Sequence, residues 1–89
     1  MLKLYQVEWC PYCQIVRSKM TELELTYINI NVPRSKPDRK ELIEISGQPG
    51  VPTLICEDGT IIADDDRGII EYLEKNFART NKPSNQRIL

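Results

Sequence analysis

Residues 2–23 read LKLYQVEWCPYCQIVRSKMTEL, and the apolar periodicity of this stretch changes at a pair of cysteines. Residues 2–7 are rich in apolar and β-prone side chains and predict a strand. From Pro11 to about Leu23 apolar residues recur every three or four positions, which predicts a helix. Pro11 suits the first turn of that helix because an N–H group would have no partner there. The apolar positions of the helix are Ile15, Val16, Met20 and Leu23.

The rest of the chain continues this alternation of strands and helices. Residues 26–32 are rich in β-branched side chains and predict a second strand. Ser35, with Pro37 and Asp38 after it, predicts the start of a second helix, which Gly47 ends. The remaining predicted bounds are about 35–46 for this helix, 52–56 and 61–63 for two further strands, 57–60 for the hairpin turn between them, and about 65–78 for a last helix.

The predicted element order is β-α-β-α-β-β-α, which belongs to the α/β class. A strand, a crossover helix and a second strand imply a parallel pair with a right-handed connection, and the later hairpin adds antiparallel strands. The expected architecture is therefore a four-stranded mixed sheet flanked by helices. Because 89 residues leave room for one core only, we expect one domain over residues 1–79 and a polar tail over 80–89.

Composition and charge exclude several classes of protein. With 40% hydrophobic residues, 28% charged residues and a net charge of −1, the chain is typical of a soluble globular protein and has no global attraction to nucleic acid. No apolar run approaches the roughly 18 residues that would span a membrane. Residues 1–5 lack the apolar region of a signal peptide. We therefore expect a cytoplasmic protein without nucleic-acid or membrane partners.

The cysteine pair carries the chemistry. Cys10 and Cys13 stand at the predicted start of the first helix, and the chain has no histidine. Unpaired N–H groups and the helix dipole favour negative charge at that place, so Cys10 is expected as a reactive thiolate. Cys13 lies one turn further into the helix and can close a disulfide onto Cys10 without a large backbone movement. Disulfide exchange would then use Cys10 as the attacking thiol and Cys13 as the resolving thiol.

A metal site is the other reading of such a pair. Zinc normally needs four ligands, and the pair together with Cys56 falls short within one chain that has no histidine. We therefore predict no metal site. Cys56 lies in an apolar predicted strand and is expected as a small buried side chain.

Three motifs together resemble the glutaredoxin family. They are Cys-Pro-Tyr-Cys at 10–13 after a strand, Val51-Pro52 before a third strand, and an acidic run at 64–66 that opens the last helix. They are also similar to the thioredoxin-like amino-terminal domain of glutathione transferases, and the similarity covers about residues 2–78. The resemblance implies a monomeric thioredoxin-like fold. It also implies a glutathione-dependent dithiol thiol–disulfide oxidoreductase that reduces protein disulfides and glutathionylated proteins.

The resemblance further implies a glutathione site, with glutathione as a co-substrate and no tightly bound cofactor. Tyr12 would offer an aromatic wall beside the reactive sulfur, and Gln48 would lie beside the ligand. The Val51–Pro52 bond would be cis, an uncommon geometry that usually has a purpose. It would turn the N–H and C=O groups of Val51 toward a peptide-like ligand and allow a short antiparallel pairing.

The acidic run has two readings. Carboxylates at a helix start satisfy free N–H groups and suit the helix dipole, which explains the run without a ligand. In the family, an acidic pair holds the α-amino group of glutathione. Counting from Pro52 places this pair at Asp64 and Asp65, whereas counting back from residues 72–73 places it at Asp65 and Asp66. We expect Asp64 and Asp65 to bind glutathione, and Arg34 or Lys36 is a further candidate for its glycyl carboxylate.

The sequence departs from the family at two places near this site. Glu8 and Trp9 precede the first cysteine where many glutaredoxins have a lysine, and Gly50 replaces a common threonine or serine. These changes concern the affinity for glutathione and not the dithiol chemistry. One alternative is therefore an electron donor that thioredoxin reductase reduces. Others are an iron–sulfur or glutathione-binding module, since some glutaredoxins hold a cluster with glutathione as an extra ligand, and a fragment-like relative of the transferases.

Overall fold

Four strands and three α-helices lie within residues 1–77, the part of the chain that the computed structural model describes. Their order is the predicted β-α-β-α-β-β-α, and apart from the second helix and the end of the last helix the bounds agree with the predictions to within one residue. The elements are β1 (Leu2–Gln6), α1 (Pro11–Glu22), β2 (Tyr27–Asn31), α2 (Lys40–Ser46), β3 (Thr53–Ile55), β4 (Ile61–Ala63) and α3 (Asp66–Phe77).

The strands form the expected mixed sheet, in the order β2-β1-β3-β4. β1 pairs with β2 in parallel, β3 runs antiparallel to β1, and β4 runs antiparallel to β3. Tyr5 stands opposite Thr53, which in turn stands opposite Ala63. The segments that leave β1 and β4 and the segment that enters β3 therefore meet at one end of the sheet.

Helices cover both faces of the sheet. α1 and α3 pack against each other and against one face, because both present apolar side chains at helical spacing. α2 lies on the opposite face, where the Tyr5 hydroxyl donates a hydrogen bond to Glu41 over 2.8 Å. The buried cluster on the first face consists of Leu2, Leu4, Val16, Met20, Leu23, Leu54, Cys56, Ile69 and Leu73.

The second helix differs from the prediction of one helix from Ser35 to Ser46. A short 3₁₀ turn at Lys36–Asp38 comes first, and α2 begins only at Lys40. Ser35 makes no side-chain capping bond, and Arg39 has φ −82° and ψ 61°, outside the helical region. This break turns the Arg39 side chain inward, where its guanidinium bonds to backbone carbonyls. Gly47 ends α2 with φ 80°, as predicted.

Three further expectations can be compared with the structure. Ile15 was predicted on the apolar face of α1, yet 48% of it is exposed. Cys56 is buried, as predicted. No helix within residues 1–77 is both long and apolar enough to cross a membrane. The predicted end of the last helix at Ala78 and the predicted polar tail over 80–89 lie outside the described residues.

Candidate active site

The two cysteines of the pair occupy different environments at the start of α1. Cys10 is the residue that caps the helix, and it is partly exposed, whereas Cys13 is completely buried. The backbone N–H of Cys13 donates a hydrogen bond to Cys10 Sγ over 3.4 Å. The sulfur of Cys10 thus takes the place that a serine or aspartate oxygen takes at an ordinary helix start. An incoming molecule can reach Cys10, and Cys13 stands directly behind it.

Burial keeps the second thiol protonated. The pKa of Cys13 is raised to about 12, first by removal of the thiol from water and then by a hydrogen bond and charge from the neighbouring Cys10. A backbone hydrogen bond with Val7 and the positive charge of Arg17 act in the opposite direction. At neutral pH, Cys13 is therefore a protonated thiol that lies behind the accessible sulfur of Cys10.

An arginine on α1 fixes the segment between β1 and the cysteines. Arg17 donates to the side-chain oxygen of Gln6 and, over 3.3 Å, to the carbonyl of Glu8. Its guanidinium also pairs with the Glu8 carboxylate at 3.5 Å. The buried Gln6 side chain donates in turn to Asn31 on β2 over 2.7 Å. The negative charge of Glu8 is therefore paired with Arg17. None of these contacts was predicted from the sequence.

Aromatic side chains stand exposed on both sides of Cys10. Trp9 is 63% exposed and Tyr12 is 58% exposed. The guanidinium carbon of Arg34 lies 4.4 Å from the centre of the Trp9 ring, a cation–π contact. This contact brings a positive charge from the loop after β2 to the residue before Cys10. Lys36 is also exposed but makes no ion pair within the described part of the chain.

The Val51–Pro52 peptide bond is cis, as the resemblance implies. Pro52 is buried and Val51 is half-buried, directly before β3. Because Thr53 pairs with Tyr5, this bond lies beside the end of β1, from which the chain continues to Cys10. The structure therefore brings the cis bond and the cysteine pair to the same end of the sheet.

Thr53 organises the loop before the cis bond, although nothing in the sequence analysis singled it out. Its buried hydroxyl donates to the Gly50 carbonyl over 2.9 Å. The same oxygen accepts from the Gln48 amide over 3.2 Å and from the Asp64 backbone N–H over 3.3 Å. One hydroxyl thus joins the 48–52 loop to the end of β4. The only sequence signal was a hydroxyl residue in an otherwise apolar short strand.

Gln48 serves this same loop. Its side-chain oxygen accepts the Gly50 N–H over 2.6 Å, and its amide donates to Ser46 Oγ over 2.9 Å. The side chain predicted to lie beside glutathione is thus bonded within its own loop, where it holds the backbone that leads to Val51.

The acidic residues divide into two roles. Asp64 has φ 53° and its carboxyl lies against Gly50, so close that a Cβ on Gly50 would stand 2.3 Å from Asp64 Cγ. Asp65 caps α3, because its carboxylate accepts the Gly68 N–H over 3.0 Å and its carbonyl accepts the Ile69 N–H over 2.9 Å. Asp66 is the first residue of α3. Asp64 is therefore the carboxylate nearest the loop of the cis bond, and Asp65 is the helix cap.

Arg39 and Cys56 lie away from the cysteine pair. A basic segment such as 34–40 ordinarily forms a solvated surface, yet Arg39 within it is only 6% exposed. Cys56 lies just after β3, at the end of the sheet opposite to the pair, and burial raises the pKa of its thiol. Within residues 1–77, no three potential metal ligands among histidine, cysteine, aspartate and glutamate come together.

Comparison with known proteins shows the family and the fold of this chain. The fold is thioredoxin-like, and residues 2–62 match the glutaredoxin family. This chain belongs to the glutaredoxin family. A relative from Clostridium pasteurianum, an uncharacterized glutaredoxin-like 8.6 kDa protein in a rubredoxin operon, is 25% identical over 75 residues, which cover 84% of this chain and all of the relative.

Solved structures of glutathione transferases share the fold. Glutathione transferase E6 from Drosophila melanogaster superposes with a TM-score of 0.76 at 34% identity, over 89% of this chain and 36% of the transferase. A transferase homologue from Sulfitobacter, solved with bound glutathione, superposes with a TM-score of 0.77 at 21% identity, over 94% of this chain and 42% of its own. This chain therefore spans well under half the length of these transferases.

Proposed function

We propose that this protein is a glutathione-dependent dithiol thiol–disulfide oxidoreductase that works through Cys10 and Cys13. The observation that carries the proposal is the difference between the two thiols. Cys10 Sγ is accessible and accepts a backbone N–H at a helix start, whereas Cys13 is buried behind it with a pKa raised to about 12. A thiolate is the nucleophile in disulfide exchange, and a helix start stabilises negative charge.

For a glutathionylated protein, one cysteine is sufficient. The Cys10 thiolate attacks the glutathione sulfur, the protein–glutathione S–S bond breaks, and the protein leaves as a thiolate that takes a proton from water. Cys10 is then held in a mixed disulfide with glutathione. A second glutathione thiolate attacks that glutathione sulfur and releases glutathione disulfide and the Cys10 thiolate. The mixed disulfide of the substrate is thus reduced to the protein thiol, and the glutathione that it carried leaves with one incoming glutathione as glutathione disulfide.

For a protein disulfide, both cysteines take part. Attack by Cys10 forms a mixed disulfide with the substrate and removes the negative charge from the Cys10 sulfur. The two contributions of Cys10 that hold Cys13 protonated then weaken, while Val7 and Arg17 still favour its ionised form. Cys13 can then lose its proton and attack Cys10, which releases the reduced substrate and forms the Cys10–Cys13 disulfide. Two glutathione molecules restore the pair.

We place glutathione along the loop that contains the cis bond. An N–H and a C=O of Val51 would pair with the backbone-like part of the ligand, with Pro52 below and Tyr12 beside the sulfur. Asp64, whose carboxyl lies against Gly50, would receive the α-amino group, and Asp65 would add charge from the start of α3. Gln48 would act by holding the loop. The positive charge of Arg34 on Trp9 would face the glycyl carboxylate.

The setting of this activity is part of the same proposal. We assign the catalytic unit to residues 1–79, acting as a monomer in the cytoplasm, where glutathione keeps thiols reduced. Its partners would be glutathione and proteins that carry disulfides or glutathione adducts.

The deciding assay measures turnover of a small mixed disulfide of glutathione with glutathione reductase and NADPH present. We expect NADPH oxidation that requires glutathione and the intact Cys10. If the oxidised protein is reduced only by thioredoxin reductase, and glutathione gives no turnover, the glutathione assignment is wrong.

One observation favours a second candidate, an electron donor reduced by thioredoxin reductase. The position where many relatives carry a basic residue holds Glu8, and that carboxylate is paired with Arg17. Fewer positive charges would then meet the carboxylates of glutathione. The same assay with thioredoxin reductase in place of glutathione and its reductase distinguishes the two.

A further inference from the structure

Arg39 is a buried arginine whose charge has no carboxylate partner within residues 1–77. Its Nε donates to the Pro33 carbonyl over 2.7 Å, and its Nη2 donates to the Arg34 carbonyl over 3.1 Å. Its Nη1 donates in the other direction, to the Pro49 carbonyl over 2.9 Å. One guanidinium therefore joins two loops that are otherwise separated in sequence.

These two loops form opposite sides of the candidate site. The first loop follows β2 and contains Arg34, whose guanidinium lies over the ring of Trp9 next to Cys10. The second leads from Pro49 through Gly50 to the cis Val51–Pro52 bond. We propose that Arg39 is a positioning residue, which sets the distance between the Trp9 side and the Val51–Pro52 side of the site and so determines how well a glutathione-containing substrate fits between them. This inference rests on the function proposed above.

The bonding pattern requires arginine in particular. A guanidinium presents its donors in a flat, rigid fork, so that it can bond to carbonyls on two sides at once. A lysine ammonium keeps the charge but is a compact group on a flexible stem and cannot reproduce this fork. Two variants therefore separate geometry from charge: R39K keeps the charge without the fork, and R39Q removes both.

The proposal predicts different effects of these variants on the reaction with a small reagent and on the reaction with a substrate that contains glutathione. Iodoacetamide is small and neutral and needs only the Cys10 sulfur, so its rate should stay within about twofold of the unmodified protein in both variants. A glutathionylated peptide must fit between the two sides. Its kcat/KM should fall about tenfold, mostly through a higher KM, since the loss is in binding and not in the reactivity of the sulfur.

Amide hydrogen exchange tests the link itself, independently of activity. Peptides covering 33–39 and 47–52 should both exchange faster in R39Q and R39K, while a peptide covering β1 keeps its rate. Lys40→Gln is the matched control, because it removes one positive charge at the next position, where the side chain is exposed. It should leave all three peptides and the kinetics unchanged.

The outcomes are distinct. Faster exchange in both loops, together with the selective rise in KM, supports the proposal. Faster exchange in one loop only, in neither, or equally in β1 overturns it, as does an R39K variant with unmodified KM. If the unmodified protein does not react with glutathionylated peptide at all, the proposed function fails, and the exchange experiment still decides whether Arg39 links the loops.

Discussion

The backbone N–H of Cys13 points at the sulfur of Cys10, 3.4 Å away, while the Cys13 side chain is fully buried. The thiol that a substrate can reach is therefore also the one that accepts a backbone N–H at the start of a helix. The buried Cys13 thiol is only three residues further along the chain, so it can react in the second step of disulfide exchange. This pairing of an exposed and a buried sulfur is the basis of the first prediction.

Replacing the two cysteines one at a time should have unequal effects. Cys10→Ser should reduce turnover of every disulfide substrate to the background rate, because it removes the nucleophile. Cys13→Ser should keep turnover of glutathionylated peptides but lose reduction of protein disulfides, which needs the resolving thiol. Both are measured by NADPH oxidation coupled to glutathione reductase. Equal loss with glutathionylated peptide in both variants would contradict the one-cysteine route.

Asp65 should show two roles that substitutions can separate. Asp65→Asn keeps an oxygen that caps α3, so the free energy of unfolding should change by only a few tenths of a kcal/mol. Asp65→Ala loses the bond to the Gly68 N–H and should cost about 1 kcal/mol. If the charge also binds glutathione, KM for glutathione should rise in both variants. Urea unfolding and steady-state kinetics measure the two quantities, and an unchanged KM in Asp65→Asn would limit Asp65 to capping.

The close approach of Gly50 and Asp64 should appear as a coupling between substitutions. Gly50→Ala places a methyl group 2.3 Å from Asp64 Cγ, so it should destabilise the protein by about 1–3 kcal/mol. Asp64→Gly removes that side chain at a position with φ 53°, which glycine adopts freely. In the Asp64→Gly background, Gly50→Ala should therefore cost much less. Urea unfolding of the four proteins gives the coupling, and additive costs would mean that the loop moves away instead.

Much of the fold could be predicted because it depends on local patterns. The change of periodicity at the cysteines, Gly47 at a helix end and Gly59 in the hairpin turn (φ 93°) each act within a few residues. Arg39 could not be predicted in this way. A charged residue among other charged residues indicates a solvated surface, and its burial depends on carbonyls that only the folded loops bring together.

The same limit applies to the candidate site. The cysteine pair and Val51–Pro52 are motifs that sequence alone reveals. The hydroxyl of Thr53 became visible only with the strand register, which sets Thr53 opposite Ala63 and so brings the next residue, Asp64, to the 48–52 loop. Residues that hold functional groups in place are recognised by their partners, and those partners are distant in sequence.

Thr53 offers a direct test of this support. Thr53→Val is nearly the same shape but has no hydroxyl, so it leaves the Gly50 carbonyl and the Asp64 N–H without this partner. We expect a loss of about 1–3 kcal/mol in the free energy of unfolding and a higher KM for glutathione. Thr53→Ser keeps the hydroxyl and is the matched control, with normal KM. Equal KM values for the valine and serine variants would mean that the hydroxyl does not support ligand binding.

The buried Cys13 thiol should make stability depend on pH in the alkaline range. Its pKa is about 12 in the folded protein and 9.0 for a free thiol, so folding favours the neutral form. The stabilisation is complete below pH 9 and is lost as the pH rises from 9 towards 12, because the unfolded chain gives up this proton first. One such group contributes a slope of at most about 1.4 kcal/mol per pH unit.

Cys13→Ala isolates this contribution, since Tyr5 and Tyr72, whose pKa values are also raised to about 12, remain in both proteins. Unfolding by urea in reducing buffer at pH 8, 9, 10 and 11 should show a steeper loss of stability in the unmodified protein than in Cys13→Ala. The difference in slope should be about half a proton at pH 9 and close to one proton between pH 10 and 11. Parallel curves would mean that Cys13 ionises in the folded protein as easily as in the unfolded chain. Cys13 would then lose its proton at a lower pH than is expected for a buried thiol. The assignment of Cys13 as the thiol that stays protonated beside Cys10 would be wrong.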